Sequence, residues 1–260
     1  RRRMRGYIFD LDGTVYLDDK LIEGAKEAIT ELQNRGDQVV FLTNKSIATR
    51  MQYVEKLRKL GIPVELNQVI NSNYITARYL QERLNEKEAV LVIGEQPLID
   101  ELTEMGIRIT EDEKEACYVV VGWDRNFTYE KINKAYQAWL NKAKIIATNP
   151  DRTCPVDGGE IPDCGAMIGA LEGATGQPID SITGKPSRLM AEFVVTDVLM
   201  MNPADCYMIG DRLETDIKMG NEFGLKSVLV LTGITTREML GSTSYTPSYI
   251  VDSIKHVPAL

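Results

Sequence analysis

Short apolar runs alternate along the chain with segments in which apolar residues recur at helical spacing. The runs are brief, rich in branched and aromatic residues and bounded by turn residues, which is typical of buried strands. They cover residues 7–9, 39–42, 69–70, 90–93, 118–121, 144–147, 206–209, 227–231 and 249–251. Helical spacing covers residues 25–32, 51–57, 75–84, 97–105, 128–140, 186–194 and 217–219. Strands that alternate with helices predict an α/β fold with a parallel sheet.

Residues 149–165 interrupt this alternation with a segment that holds three prolines and three glycines. Loops of this length are usually functional or disordered, and the two cysteines and several apolar residues of this segment favour a functional loop. The strand–helix pattern that restarts near residue 86 is compatible with a continuation of the first sheet, because only short polar stretches separate it from its neighbours.

Two carboxylates, Asp10 and Asp12, follow the first predicted strand. Residues two apart in extended backbone point the same way, and ligands of open α/β sheets bind at the carboxyl ends of the strands. Two adjacent acids repel each other, which a bound cation or divided chemical roles would explain. A calcium loop is excluded because its fifth and sixth positions are Thr14 and Val15. A simple turn at Asp12 would leave Asp10 unexplained.

Three further polar residues stand at predicted strand or helix ends. Thr43 ends the second strand, where its hydroxyl either cradles a phosphate or, like Ser46, caps the next helix. Lys185 precedes a helix that Pro186 is predicted to begin, where the helix dipole disfavours a cation; it is either functional or a solvated loop lysine. Asp211 follows the strand at 206–209, although with Glu214 it also matches a capping box.

Three carboxylates, Asp10, Asp12 and Asp211, are thus predicted to converge on one sheet edge, where oxygen ligands with room for water suit Mg²⁺. Hydrophobic content of 43% and charged content of 26% are ordinary for a soluble protein, and the net charge of −8 argues against a nucleic-acid binder. No run reaches membrane-spanning length, and no signal segment follows the first three arginines. The only histidine, His256, lies in the polar tail, so catalysis by histidine is poorly supported.

The four cysteines form no C-x-x-C pair, and free thiols in a reducing cytoplasm fit best. We therefore expect a cytoplasmic protein. The cysteines are Cys117, Cys154, Cys164 and Cys206.

Four short motifs in order give the chain a family resemblance. They are Asp10–Thr14, Leu42–Asn44, Gly184–Pro186 and Gly210–Asp216, and together they resemble the haloacid dehalogenase superfamily of phosphohydrolases. The insert between the second and third motifs resembles the large α/β cap of the p-nitrophenylphosphatase-like branch, whose cap signature looks like residues 149–152. Within that branch, residues 21–25 are similar to bacterial sugar-phosphate phosphatases.

This resemblance implies a Rossmann-like parallel-sheet core, residues 1–78 and 182–260, with an inserted α/β cap at residues 79–181 that selects the substrate. It makes Asp10 the nucleophile and Asp12 the general acid and base. Thr43 and Lys185 would hold the phosphoryl oxygens.

The resemblance also implies a metal site and a substrate site. Mg²⁺ would be held by Asp10, Asp211 and the backbone carbonyl of Asp12, with Asp216 orienting the shell rather than ligating. Substrate contacts are expected from Asn44, Asn149, Asp151 and Arg152. Arg152 is the main candidate for reaching the leaving group, against the alternative of a solvated surface arginine.

The sequence therefore predicts a Mg²⁺-dependent phosphatase that hydrolyses small phosphate monoesters (sugar phosphates, nucleotides or p-nitrophenyl phosphate) through an aspartyl-phosphate. The alternative is a phosphomutase or phosphotransferase of the same superfamily, although the mutases carry a smaller helical cap. A dehalogenase would not need Asp12, and a silent binding module would have lost Asp10 or Lys185. The expected partner is a small-molecule phosphate ester, without nucleic acid or membrane, and a homodimer is left open.

Overall fold

The computed structural model describes residues 2–260. The strands in that range, in chain order, are β1 (Gly6–Asp10), β2 (Tyr16–Leu17), β3 (Lys20–Leu21), β4 (Gln38–Thr43), β5 (Val69–Asn71), β6 (Ala89–Ile93), β7 (Arg108–Ile109), β8 (Ala116–Val121), β9 (Lys144–Ala147), β10 (Thr153–Val156), β11 (Gly159–Pro162), β12 (Ser181–Ile182), β13 (Cys206–Gly210), β14 (Lys226–Val230) and β15 (Tyr249–Val251).

Helices fill most of the connections between these strands. The α-helices are α1 (Ala25–Asn34), α2 (Arg50–Lys59), α3 (Ser72–Gln81), α4 (Gln96–Glu104), α5 (Tyr129–Leu140), α6 (Cys164–Thr175), α7 (Arg188–Glu192) and α8 (Lys218–Phe223). Two π-helical segments, Phe193–Leu199 and Leu213–Ile217, adjoin α7 and α8. In residues 2–260 no helix is long and apolar enough to cross a membrane.

A six-stranded parallel sheet forms the core, in the order β15-β14-β13-β1-β4-β5. Alternate residues of β1 enter two apolar layers, with Tyr7 and Phe9 on one side and Ile8 on the other. Because both faces are covered, the strands are continuous apolar runs in the sequence. The predicted α/β class with a Rossmann-like parallel core is confirmed.

A second parallel sheet has the order β12-β9-β8-β6-β7, so the pattern that restarts near residue 86 does not continue the first sheet. Its last strand includes Ile182, which pairs with Ala147. The expected boundaries at 78/79 and 181/182 therefore fall inside α3 and β12. We call the unit built on this second sheet the cap.

Two buried contacts join the cap to the core where the chain passes between them. Thr76 Oγ1 of α3 lies 2.6 Å from Thr183 Oγ1, just after β12. The Glu101 carboxylate on α4 accepts hydrogen bonds from the side chains of Asn71 (2.6 Å) and Asn73 (3.0 Å). The two crossings are therefore tied to each other by one buried hydrogen bond, and α4 is tied to the core by two more.

The segment 149–165 is not the irregular loop that its composition suggested. Strands β10 and β11 form an antiparallel hairpin around Asp157-Gly158, and α6 begins at Cys164. Asp-Gly with a positive φ at Gly158 is a common two-residue hairpin turn, so this signal was available in the sequence. The predicted helix start at Pro186 is also wrong, because α7 begins at Arg188 and Ser187 caps it.

Candidate active site

Three carboxylates meet at the carboxyl edge of the core sheet. Asp10 ends the central strand β1, and Asp211 and Asp216 follow the neighbouring strand β13. Oxygen atoms of these three buried side chains lie within 4.8 Å of one another. The convergence expected from parallel strands is therefore present, with Asp216 in the place predicted for Asp12.

A π-helical turn brings Asp216 into the cluster. It covers Leu213–Ile217, and one carboxylate oxygen of Asp216 accepts a hydrogen bond from the backbone N–H of Arg212 (3.2 Å). A Cβ atom at Gly210 would lie 2.2 Å from Asp216, so only glycine fits beneath it. The alternative of a capping box is wrong, because Arg212 occupies the N-cap position and no side chain caps this segment.

Asp211 is packed between two glycines. A Cβ at Gly13 would lie 2.5 Å from its carboxylate oxygen, and one at Gly233 would overlap that oxygen more closely still. Gly13 also has a φ of +83°, which favours glycine. The same oxygen accepts a hydrogen bond from the backbone N–H of Ile234 (2.9 Å). The position of this carboxylate is therefore fixed by the backbone around it.

Lys185 bridges the cluster and is not a solvated loop lysine. Its Nζ donates to Asp10 Oδ1 (2.9 Å) and to Asp216 Oδ1 (2.7 Å). Its backbone is held by Asn44, which accepts from the Lys185 N–H (2.8 Å) and donates to the Lys185 carbonyl (3.0 Å). Burial opposes the charge of this ammonium, but the carboxylates of Asp10 and Asp216 outweigh burial and raise the pKa of Lys185.

Thr43 and Ser46 do not cap α2, because Thr49 caps that helix through a hydrogen bond from the Gln52 N–H (3.2 Å). Thr43 is buried in the cleft, where its hydroxyl accepts from the backbone N–H of Lys45 (3.1 Å). The capping alternative for these residues is therefore wrong, and Thr43 lines the same cleft as the carboxylate cluster.

The charges of the cluster are not balanced by Lys185 alone. Burial raises the pKa of Asp10, and it raises the pKa of Asp216 to about 7, with the charge of Asp10 adding to the effect. Lys185 contacts two of the three carboxylates, whereas Asp211 forms no ion pair in residues 2–260. All the ligands are oxygen atoms, which suits a hard divalent ion such as Mg²⁺. The residues present therefore fit the metal that the sequence suggested.

Asp12 stands beside this cluster, with its two oxygens in different surroundings. Oδ1 lies 3.3 Å from the Nζ of Lys45, whereas Oδ2 is buried and has no hydrogen-bond partner in residues 2–260. Burial opposes the charge of Lys45, but the nearby Asp12 carboxylate raises the pKa of Lys45. Sequence reasoning missed Lys45, although it directly follows the Thr43-Asn44 motif.

The cap contributes two acids to the cleft, Asp151 and Asp163. Asp151 accepts from the side chains of Asn149 (2.6 Å) and Asn44 (2.8 Å), and it forms an ion pair with Arg212 Nε at 3.2 Å. Asn149 also donates to Asp163 (3.1 Å). Asn149 is fully buried and does not line the cleft, so it positions the two cap acids instead of facing a substrate.

The arginine in the cleft is Arg212, and not Arg152 as predicted. Arg152 is exposed and lies outside the cleft, just before β10. The guanidinium of Arg212 is largely buried and also donates to the backbone carbonyl of Thr153 on the cap hairpin. The position of Arg212 within the Gly210–Asp216 motif was the sequence signal that could have identified it. With the cap in this position the cleft has only about 30 Å³ of room, about enough for one or two water molecules.

Comparisons with known proteins agree with this geometry. Residues 7–108 match a family model described as haloacid dehalogenase-like hydrolase, and residues 182–257 match a related one described as HAD-hydrolase-like. A sugar-phosphatase from Bacillus subtilis, AraL, is 40% identical over 255 residues, which cover 98% of this chain and 92% of that protein.

Solved structures of similar proteins have the same fold. The p-nitrophenyl phosphatase from Archaeoglobus fulgidus superposes with a TM-score of 0.90 at 35% identity, covering 100% of both chains. A glycerol phosphate phosphatase from Mycobacterium tuberculosis, in complex with magnesium, gives 0.87 at 27% identity and covers 97% of this chain and 75% of that one.

The chain belongs to the haloacid dehalogenase-like hydrolase family. Within it, the chain is an enzyme of the p-nitrophenylphosphatase and NagD type, a phosphoric monoester hydrolase. The resemblance stated from the four motifs is therefore confirmed.

Proposed function

We propose that this phosphatase hydrolyses small phosphate monoesters through an aspartyl-phosphate on Asp10, with Mg²⁺ as its cofactor. The observation that carries the proposal is the meeting of Asp10, Asp211 and Asp216 with Lys185 at one edge of the core sheet. One carboxylate there can attack phosphorus, while the others hold a cation near the negative charge of the substrate. An acid in this position is a recognised nucleophile in phosphoryl transfer.

Asp10 and Asp12 divide the chemistry in this proposal. A carboxylate oxygen of Asp10 forms a bond to phosphorus as the bond from phosphorus to the alcohol oxygen breaks. Asp12 gives its proton to that departing oxygen, which leaves as a neutral alcohol. Asp12 then takes a proton from water, whose oxygen attacks the phosphorus and releases Asp10 and inorganic phosphate. The buried Oδ2 of Asp12 supports this role, because no other hydrogen bond competes for it in residues 2–260.

Lys185 and Thr43 would hold the phosphoryl oxygens as charge spreads over them. Lys185 is suited to this because Asn44 fixes its backbone from both sides. Without such a fixed donor the phosphoryl group could rotate away from Asp10, which would cost rate through loss of alignment.

Mg²⁺ would be held by Asp10, Asp211 and the backbone carbonyl of Asp12, with Asp216 either orienting this shell or joining it. When bound, the ion offsets the repulsion between the Asp10 carboxylate and the phosphate and stabilises charge on the transferring group. The excess of buried carboxylates over lysines around Asp211 supports the assignment.

Residues 79–181 are the part of the chain that would choose the substrate. Asp151 and Asp163 reach the cleft from the cap, whereas the proposed nucleophile and cation ligands belong to the core. With the cap in this position the cleft has about 30 Å³ of room, so an outward movement of the cap would make room for an ester to enter. Sugar phosphates, nucleotides and p-nitrophenyl phosphate remain the candidate substrates, and sugar-phosphatase is the printed activity of a relative at 40% identity.

The test is phosphate release from p-nitrophenyl phosphate and from a sugar phosphate, with and without Mg²⁺, followed by ³¹P NMR. We expect inorganic phosphate from both substrates, and a loss of about 10³-fold or more in Asp10→Asn while circular dichroism stays unchanged. Recovery of the phosphoryl group on another hydroxyl would instead support the phosphomutase alternative. Appreciable turnover by folded Asp10→Asn would remove Asp10 as the nucleophile. A homodimer stays a prediction, for which light scattering on the purified protein is the measurement.

A further inference from the structure

Lys45 occupies a position in the cleft that the chemistry described so far does not use. Its Nζ lies 3.3 Å from Asp12 Oδ1, and it is 5.6 Å from the ring centre of Trp123 on the cap. Its backbone is fixed at both ends, because its N–H donates to Thr43 Oγ1 (3.1 Å) and its carbonyl accepts from the Tyr53 hydroxyl (2.6 Å). A charged side chain held this firmly between core and cap is placed to contact a ligand.

The contact of Lys45 with Asp12 indicates which part of a bound substrate Lys45 would lie next to. If Asp12 protonates the departing oxygen, the alcohol part of the substrate lies against the free Oδ2 of Asp12. Lys45 contacts the other oxygen of the same carboxylate, so its ammonium is next to the alcohol and not next to the phosphoryl group. The phosphoryl group has its own lysine, Lys185, which contacts Asp10 and Asp216.

The charges around Lys45 indicate what kind of alcohol fits. Three cations line the cleft, and each is already paired: Lys45 with Asp12, Lys185 with Asp10 and Asp216, and Arg212 with Asp151. The same lining holds six carboxylates, so a second anionic group on the substrate would give up its water to face more acids than cations. A hydroxyl can instead accept a hydrogen bond from an ammonium and donate one to a carboxylate.

We infer that Lys45 is a specificity-determining residue that binds an uncharged hydroxyl group on the alcohol part of the substrate. This inference rests on the proposed phosphatase mechanism and adds one substrate contact to it. The cap acids Asp151 and Asp163 line the same cleft and supply acceptors for further hydroxyls.

Two phosphate esters that differ only in hydroxyl groups test the inference. Glycerol 3-phosphate and n-propyl phosphate have the same three-carbon chain, so the ratio of their kcat/KM values reports recognition of the hydroxyls. Because a hydrogen bond from a charged group is stronger than a neutral one, we expect this ratio to fall by about tenfold or more in Lys45→Met. Lys45→Arg keeps the charge and the donors, and should retain a larger share of the ratio than Lys45→Met. Circular dichroism and melting temperature establish that both variants are folded.

The ratio separates recognition from other roles of Lys45. If the lysine only orients or neutralises Asp12, Lys45→Met slows both esters by the same factor and the ratio stays constant, which overturns the inference. If wild-type enzyme with Mg²⁺ releases phosphate from neither ester nor from p-nitrophenyl phosphate, the proposed function itself has failed. Rapid turnover of p-nitrophenyl phosphate with no preference for glycerol 3-phosphate over n-propyl phosphate contradicts only the inference about Lys45.

A third ester tests the charge of the alcohol. Glycerate 3-phosphate differs from glycerol 3-phosphate in having a carboxylate in place of a hydroxymethyl group. Because carboxylates outnumber cations in the lining of the cleft, we expect wild-type kcat/KM to be at least about tenfold lower for the glycerate ester. A preference for the glycerate ester that disappears in Lys45→Met would show that Lys45 binds an anion, and the inference that it binds a hydroxyl would be wrong.

Discussion

Arg212 of the core and Asp151 of the cap form a largely buried ion pair, with Nε and Oδ1 3.2 Å apart. The two residues come from the two units that enclose the cleft, and the guanidinium also donates to the carbonyl of Thr153 on the cap hairpin. This pair is therefore a direct link between the catalytic edge of the core and the closed position of the cap. Its strength bears on how often the cleft is closed.

Breaking this pair is expected to favour the open cap. Arg212→Met should raise KM about tenfold, because Asp151 then lacks its cation and gains by returning to water. The double variant Arg212→Met/Asp151→Asn should be less impaired than the two single effects combined, with a coupling energy of about 1 kcal/mol or more. Kinetics and urea unfolding of the four proteins give both quantities.

Arg152→Met is the matched control, since Arg152 is exposed and lies outside the cleft. We expect its stability to stay within about 0.5 kcal/mol of the wild type, with little change in KM. A large effect of Arg152→Met together with no effect of Arg212→Met would show that the arginine predicted from the sequence is the functional one after all.

Asp12→Ala should slow phosphoenzyme formation much more for an alkyl ester than for p-nitrophenyl phosphate. An alkoxide needs a proton to leave, whereas nitrophenolate does not, and general acid catalysis typically contributes about 10²–10⁴ in rate. The measurement is the pre-steady-state burst, because the later attack of water suffers equally for both esters. Equal losses in the two bursts would be incompatible with Asp12 as the acid.

Removal of divalent ions should silence the enzyme, and Mg²⁺ should restore it. The reason is the crowding of Asp10, Asp211 and Asp216, with oxygen atoms within 4.8 Å and only one lysine among them. Activity is assayed after exhaustive dialysis against EDTA and again after titration with Mg²⁺ or Ca²⁺. Ca²⁺ prefers more ligands at longer distances, so it should restore less activity. Full activity after dialysis would rule out a metal requirement.

The stability of the cap should depend on pH through Asp163. Burial, with the charge of Asp151 adding to it, raises the pKa of Asp163 from its ordinary 3.8 to about 7. Between these values the folded protein binds more protons than the unfolded chain, so this group makes stability fall as pH rises from 4 to 7. In the Asp163→Asn variant this side chain cannot ionise, so the variant should not show this decrease in stability.

The comparison of wild type with Asp163→Asn isolates this group, since all other groups titrate in both proteins. From pH 5 to pH 8 the variant should gain on the order of 2 kcal/mol over the wild type in the free energy of unfolding, measured by urea titration. Asp157→Asn, on the exposed turn of the same hairpin, is the control and should show no such gain. A gain of the same size in both variants would assign the effect to general surface charge.

The core sheet was readable from the sequence because its strands are buried on both faces, so each is an uninterrupted apolar run such as Val39–Leu42. Because parallel strands end at one edge of a sheet, the sequence also predicted that Asp10, Thr43 and Asp211 lie close together. The second sheet was not separable from the first by pattern alone, since both are built from the same kind of run. Helix α6 was missed because its glycines and alanines give little contrast between its faces.

The directions of the side chains at the cleft could not be predicted from the sequence. Asp216 enters the cluster through a π-helical turn, which the spacing of apolar residues in the sequence does not predict. Arg152 and Arg212 both neighbour a motif, but only the packing of the cap hairpin against the core decides which of them is buried. The pairing of Lys45 with Asp12 likewise depends on two strand ends that are 33 residues apart along the chain.

The hydrogen bond between Thr76 and Thr183 has a mechanical consequence. It holds the two chain crossings side by side, whereas the contacts of Asp151 with Arg212 and Asn44 join the cap to the core at the cleft. A rotation of the cap about the crossings would leave the Thr76–Thr183 contact in place and would separate the contacts at the cleft over a larger arc. A small change of angle at the two threonines would therefore set the width of the whole opening.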